Sequence, residues 1–357
     1  MSKKSRSRNN KKTVANKPRN RRKRSSIVYD VKTSLDAIDM IGQSKKEARK
    51  EKIKGIHSLK QKDNSMSDCQ NFAKWVRENH GVMNLKDVTE EHYRAYFVHL
   101  DNKGVSKGHK INVETSLRLL EEGYKKVSAG SKSDFKGFCT EKRLYTLGRD
   151  EALRNRCYER SEVEAIKENV SPEVAKAIDL MSELGLRVKE SVNVRVEHFV
   201  QTEDGLRLVI PQNGGAGITK GGRFRDVPVQ ERFVEPLQRF LEGKGPTDKL
   251  VAVSYATVRK AVHRACKTAG IKQDGRGCHG FRHTYARERF KELATVEQKA
   301  MMDRILENRA IGRKADYGIG EWNRALFEST RNIMNQVHSE LGHGENRWRL
   351  AMVYLKD

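Results

Sequence analysis

Four short clusters in the second half of this chain gather cationic, imidazole and phenolic side chains. The first is Gly185-Leu186-Arg187-Val188-Lys189-Glu190. Its glycine stops a helix and leaves Arg187 at a helix–helix junction, with Glu190 three residues on to buttress it. The second is a glycine-rich tip, residues 214–222, that presents one lysine, Lys220. It is no Walker A loop, because no Gly-Lys-Ser/Thr closes it and no helix follows. The third is Cys278-His279-Gly280-Phe281-Arg282-His283-Thr284, where His279 and Arg282 share one face of a helix start. Such a pair binds a phosphate through charge-assisted hydrogen bonds, helped by the helix N-terminus. The fourth is Leu341-Gly342-His343, with Tyr354 eleven residues further on. A zinc site at Cys278, His279 and His283 finds little support, with no H-E-x-x-H pattern and no carboxylate between the histidines. Taken singly, Arg187 reads as a surface arginine on a turn and Lys220 as an ordinary loop lysine.

The composition says what kind of partner such groups would meet. Among 357 residues, 72 Lys and Arg face 47 Asp and Glu, a net charge of +25, and only 36% are hydrophobic. A surplus of that size repels itself unless an anion neutralises it, and phosphate polymers are the usual anion. No stretch offers the roughly 18 apolar residues a membrane-spanning helix needs, and no signal peptide opens the chain. The five cysteines are scattered and form no C-x-x-C, as expected of reduced thiols in a cytoplasm.

The elements that must position these clusters fall into four stretches. Residues 1–29 read as a disordered basic arm; positions 1–26 alone hold twelve Lys or Arg and no acid, +12 of the +25. Residues 30–127 read as a small helical bundle. Leu35, Ile38 and Ile41 lie on one face, Phe72, Trp75 and Val76 on another, a helix starts at Thr89, and Val113, Leu117, Leu120 and Tyr124 form the stripe of a last one. Residues 128–157 lose the periodicity and read as a basic linker. A second domain, 158–357, opens on a capping box of Ser161 and Glu164 and continues with a helix over 172–184. Strands over 206–211 and 224–229 then flank the glycine-rich tip, and helices follow from about residue 255. The fold class is mainly α with a small β-sheet.

Taken in order, the clusters resemble the catalytic set of the tyrosine recombinases, the lambda-integrase type of phage and mobile-element enzymes. That family's signature is an Arg after a Gly-Leu-type turn, a Lys on a β-hairpin, His-x-x-Arg, a His in Leu-Gly-His, and a Tyr near the C-terminus. Here these are Arg187, Lys220, His279 with Arg282, His343 and Tyr354. The resemblance covers about residues 30–357. It implies a SAM-like helical core-binding domain and an α+β catalytic domain closing on DNA as a C-shaped clamp. It implies that Arg187 and Arg282 hold the nonbridging oxygens and that His279 and His343 add donors or take the tyrosine proton. Tyr354 would attack phosphorus, Lys220 would protonate the departing 5′ oxygen, and Glu190 would orient Arg187. No metal and no cofactor are required. The implied partners are double-stranded DNA with inverted-repeat core sites, and flanking arm sites for the basic tail. Three further copies of the chain would complete a homotetramer on two duplexes, and a DNA-bending accessory protein would be an optional addition. The implied setting is a prokaryotic cytoplasm, at the nucleoid.

The sequence departs from the family pattern in three places. Arg282 and His343 are unusually far apart, with a helical, basic insertion at about 291–335; the step from His343 to Tyr354 is slightly long; and only three residues follow Tyr354. Tyr317, among glycines, is a rival nucleophile. Integration or excision of a prophage or other mobile element is the favoured activity. The alternatives are a chromosome or plasmid resolvase of the same family, a type IB topoisomerase, and a DNA-binding protein on this fold that no longer cuts.

Overall fold

A computed structural model describes residues 26–129, 135–146, 155–212, 218–219 and 222–355. It divides into two compact units, 1–147 and 148–357.

The first unit is a helical bundle: α1 (Ile27–Ala37), α2 (Lys45–Lys50), α3 (Leu59–His80), α4 (Glu90–Asn102) and α5 (Lys107–Ser128). Its core gathers Leu35, Phe72, Val76, Tyr93, Phe97, Leu117 and Leu120, so the stripes read from periodicity are the buried ones. Thr89 caps α4 as expected, with His92 returning the bond. The boundaries differ in two places. Residues 27–29, assigned to the arm, already belong to α1, because Ile27 is fully buried; the rest of the arm, residues 1–25, lies outside the described residues. Ile41 stands in a turn beyond α1 rather than on its face.

Residues 135–146, read as linker, pack on α5. Two glutamates one heptad apart accept their backbone donors. Glu121 takes the N–H groups of Phe138 and Cys139, and Glu114 those of Leu144 and Tyr145. Phe138 drops into the core between Phe72 and Tyr93. Glu114 is itself fully buried, and the Tyr93 hydroxyl donates to it.

The second unit begins with α6 (Arg160–Glu168), α7 (Pro172–Glu183) and the short α8 (Val188–Ser191). The capping box of α6 is Glu159 with Glu162, two residues ahead of the Ser161/Glu164 pair, which the first turn takes up. An antiparallel sheet of order β1-β2-β3 follows, built from β1 (Phe199–Thr202), β2 (Gly205–Ile210) and β3 (Arg225–Pro228). β2 and β3 are the two strands expected around the glycine-rich tip, in register with Leu208 opposite Val227. Then come α9 (Glu231–Leu241), α10 (Tyr255–Thr268), α11 (His279–Leu293), α12 (Val296–Ala310), α13 (Arg324–Glu340) and α14 (Trp348–Tyr354).

α11 is the centre of this unit. Every residue from Gly280 to Arg287 is buried, with α7, α13 and α14 packed around the helix. A helix enclosed on all sides must satisfy its polar side chains internally. Thr284 does so by bonding the backbone of Tyr158 at both N–H and carbonyl. The segment read as an insertion forms the end of α11, then α12, a turn and most of α13. Met301, Ile305, Ala315 and Phe327 give the α12–α13 pair a small core of its own, on which Trp348 packs, stacked 6.0 Å from Phe327. That contact seats the start of α14, the helix that carries Tyr354.

Candidate active site

Arg187, Glu190, His279, Arg282, His343 and Tyr354 converge at one place in the second unit. Each arrives on an element whose local sequence explains its direction. α7 ends at Glu183, and Gly185 turns the chain with φ +59°, a conformation that favours glycine. A Cβ there would meet the Tyr285 ring at 2.5 Å and Leu341 at 2.8 Å. The turn leaves Arg187 as the N-cap of α8, where Glu190 closes on it twice. Arg187 N–H donates to Glu190 Oε2 at 2.9 Å, and Arg187 Nη1 to Oε1 at 2.6 Å. Glu190, three residues on, thus holds both the backbone and the guanidinium of Arg187.

Arg282 lies one turn into α11 and is fully buried. Its Nη1 donates to the carbonyl of Gly185 and its Nη2 to that of Leu341, so it ties the Arg187 turn to the His343 turn. Gly342, with φ +68°, breaks the chain after α13 and turns His343 back over Arg282. Arg282 Nη2 stands 3.4 Å from Nε2 of His343. The guanidinium can only donate there, which places the ring proton of His343 on Nδ1, a buried atom with no partner among the described residues. Tyr354, 5% exposed at the end of α14, sits among three imidazoles. Its hydroxyl is 3.2 Å from His279 Nε2, the His283 ring stacks on it at 4.3 Å, and the His343 ring lies at 5.5 Å.

The electrostatics are those of an anion site. Arg187 and Arg282, with Arg225 behind them, face the single carboxylate of Glu190, which leaves two surplus positive charges. Burial raises the Glu190 carboxyl, but Arg225, Arg187 and Arg282 outweigh it and hold the group below its ordinary value. The histidines move the other way. Burial, then the charges of Arg282 and Arg187, push His279 down to about 4. Burial and Arg282 push His343 to about 2. At neutral pH both rings are uncharged, so His279 is able to accept the proton of Tyr354.

Beside the cluster opens a cleft of about 610 Å³, lined by Arg187, Glu190, Thr219, Tyr255, Arg259 and His279 among others. Lys220 itself lies outside the described residues, yet Ile218 and Thr219, just before it, line this cleft. Tyr317, the rival nucleophile, is 53% exposed in the turn between α12 and α13. Arg313 covers its ring and Asn308 binds its carbonyl, away from the cationic cluster.

Three members of this constellation have places that the sequence does not signal, although His283 stands in the third cluster read from it. Arg225 opens β3 and is buried against Glu190, His283 stacks on the tyrosine, and His338 lies buried 5.9 Å from the His343 ring. One of 72 cationic residues, at the edge of a short strand, carries no signal of burial. For His338 the sole hint was its place one turn before Gly342.

Residues 157–296 match the phage integrase family model. The match takes in Arg187, Lys220, His279 and Arg282 and stops at the first residue of α12, before His343 and Tyr354. No curated protein matches the chain. Among solved structures, a lambda integrase tetramer bound to a Holliday junction is 17% identical, covering 76% of this chain and 74% of that one, with a TM-score of 0.51. A lambda integrase dimer bound to a COC′ core site is also 17% identical, covering 76% and 73%, with a TM-score of 0.50. Likenesses at that identity speak to the fold. Over residues 157–296 this chain thus matches the phage integrase family, and it shares the fold of the lambda-integrase-type tyrosine recombinases.

Proposed function

We propose that this chain is a site-specific DNA recombinase that cuts and rejoins DNA through a 3′-phosphotyrosyl intermediate, integrating or excising a mobile element. One observation carries the reading: the Tyr354 hydroxyl lies 3.2 Å from a neutral imidazole, in a cluster with a surplus of positive charge.

A phosphodiester resists attack because it is an anion that must build more charge on its oxygens, so fixed positive donors favour the transition state over the ground state. Arg187 and Arg282 bind the nonbridging oxygens. Arg187 is the more exposed of the two and faces the cleft, while Arg282 keeps a buried Nε–H without a partner among the described residues. The Tyr354 oxygen attacks phosphorus and His279 takes its proton. The bond to the 5′ oxygen breaks, and Lys220 supplies the proton that oxygen needs. His343 donates to the phosphate once the anion turns it from its contact with Arg282. The phosphotyrosyl bond then conserves the energy that rejoining requires.

Both units and the basic arm hold double-stranded DNA, with four copies assembling on two duplexes and no membrane partner. Among the described residues no helix is long and apolar enough to cross a membrane. The cytoplasm of a prokaryote is the setting this reading implies.

The test uses a duplex carrying the chain's own site, found by selecting bound genomic fragments, and nicked so that a short fragment escapes after cleavage. Wild type forms a covalent protein–DNA adduct in EDTA and Tyr354→Phe forms none. Tight binding with no adduct from either protein would favour the non-cleaving alternative.

A further inference from the structure

Arg225 has no task in the chemistry above. It opens β3 with a side chain 1% exposed, so it does not reach the cleft. Its Nη1 donates to Glu190 Oε2 at 2.8 Å and its Nη2 to the carbonyl of Leu184 at 3.2 Å. Its stem lies against Gly342, where a Cβ would come within 2.9 Å of Arg225 Cδ. One buried side chain therefore touches both turns that present the site, the one before Arg187 and the one before His343.

Burying a guanidinium is costly unless it pairs, and here the pairing is with the carboxylate that also serves the arginines of the site. Glu190 stands 2.6 Å from Arg187, 2.8 Å from Arg225 and 3.8 Å from Arg282. A carboxylate and a phosphate compete for the same planar donors. With Arg225 on Oε2, Arg282 is kept just beyond hydrogen-bond distance of Glu190 and its remaining N–H groups are available. Without Arg225, Oε2 would keep only the Arg187 N–H, and the Arg282 guanidinium, 3.8 Å away, would close on it.

We propose that Arg225 is a positioning residue that occupies Glu190, so that the carboxylate does not draw Arg282 away from the scissile phosphate. The inference rests on the recombinase reading. It is tested by single-turnover adduct formation on the nicked duplex, with DNA affinity measured separately, for wild type, Arg225→Met, Glu190→Gln and the double variant. Arg225→Met binds DNA as wild type does but forms adduct about 100-fold more slowly, the scale of a small misplacement in a reacting site. The double variant recovers at least about tenfold of that loss, because a neutral amide no longer competes. A void left by a merely structural arginine would not be repaired by changing Glu190. If Arg225→Met does not fold, the comparison passes to the double variant against Glu190→Gln alone, which should agree within about threefold. An Arg225→Met protein as fast as wild type overturns the inference, as does a double variant about 100-fold slower than Glu190→Gln. A wild type that forms no adduct defeats the recombinase reading itself, a separate result.

Discussion

Tyr354 and His279 meet within a single chain: the phenolic oxygen of α14 lies 3.2 Å from Nε2 of the first residue of α11, 75 positions earlier. α14 reaches that place because Trp348 is anchored on Phe327 and because Gly342 turns the chain back after α13. The proposed nucleophile and proton acceptor, with the cleft-facing Arg187 and the buried Arg282, therefore come together in one copy of the protein.

Delivery within one chain has a direct consequence for mixtures. Tyr354→Phe and Arg282→Lys are each expected to be inactive, since a lysine cannot span the Gly185 and Leu341 carbonyls that Arg282 bridges. Mixed on the nicked duplex, the two inactive proteins should still form no adduct. An adduct from the mixture would show a tyrosine from one copy entering another copy's site.

The cluster should also be an acid-labile part of the fold. Burial first, and charged neighbours second, push His279, His283, His338 and His343 to about 4, 3, 4 and 2. The unfolded chain takes up these protons near pH 6.5 while the folded chain resists them, so acid favours unfolding. Stability present above about pH 6.5 is lost as the pH falls toward 4, by roughly 2 kcal/mol at pH 5 for one such histidine. His338, whose ring nitrogens have no partner among the described residues, isolates the effect. Thermal melts of His338→Leu should fall less between pH 7 and pH 5 than those of wild type; parallel curves would contradict the argument.

Gly185 links backbone conformation to the site. Alanine there would carry φ +59° and a Cβ 2.5 Å from the Tyr285 ring, while the residue's carbonyl is a partner of Arg282. Gly185→Ala should cost about 2–3 kcal/mol in urea denaturation. Its cleavage at a temperature where it remains folded should drop by about tenfold or more, because the Arg282 anchor moves. Unchanged cleavage in a destabilised protein would separate the turn from the chemistry.

In the helical unit, Glu114 is the test of how residues 135–146 are held. Glu114→Ala removes the acceptor for Tyr93, Leu144 and Tyr145 and leaves buried donors unpaired, a loss of about 2–4 kcal/mol. Limited proteolysis should then cut within 135–146 before it cuts the helices. Equal protection in wild type and variant would mean that the Glu121 clasp alone suffices.

The sequence made much of this legible because the relevant signals are local. Helix stripes, the cap at Thr89, the stop at Gly185 and the His279–Arg282 spacing all depend on neighbours within a turn or two. Where the deciding partner is remote in sequence, nothing local announces it. Residues 135–146 look like linker because their hydrogen-bond acceptors are on α5, and Phe138 is one aromatic among basic residues. Arg225 looks like a solvated cation because Glu190 lies 35 positions away. The start of α11 is legible from the His279–Arg282 spacing, but its burial is not: Gly280–Arg287 are enclosed on every side, so no polar face gives a periodicity there.

The central claim is that Tyr354 is the nucleophile, and locating the covalent bond tests it most directly. The adduct formed on the nicked duplex would be digested with nuclease and trypsin, and the modified peptide sequenced by mass spectrometry. The account predicts a nucleotide on Tyr354, in the peptide containing Leu350, Ala351, Met352 and Val353. A nucleotide on Tyr317, or on any residue other than Tyr354, would contradict it.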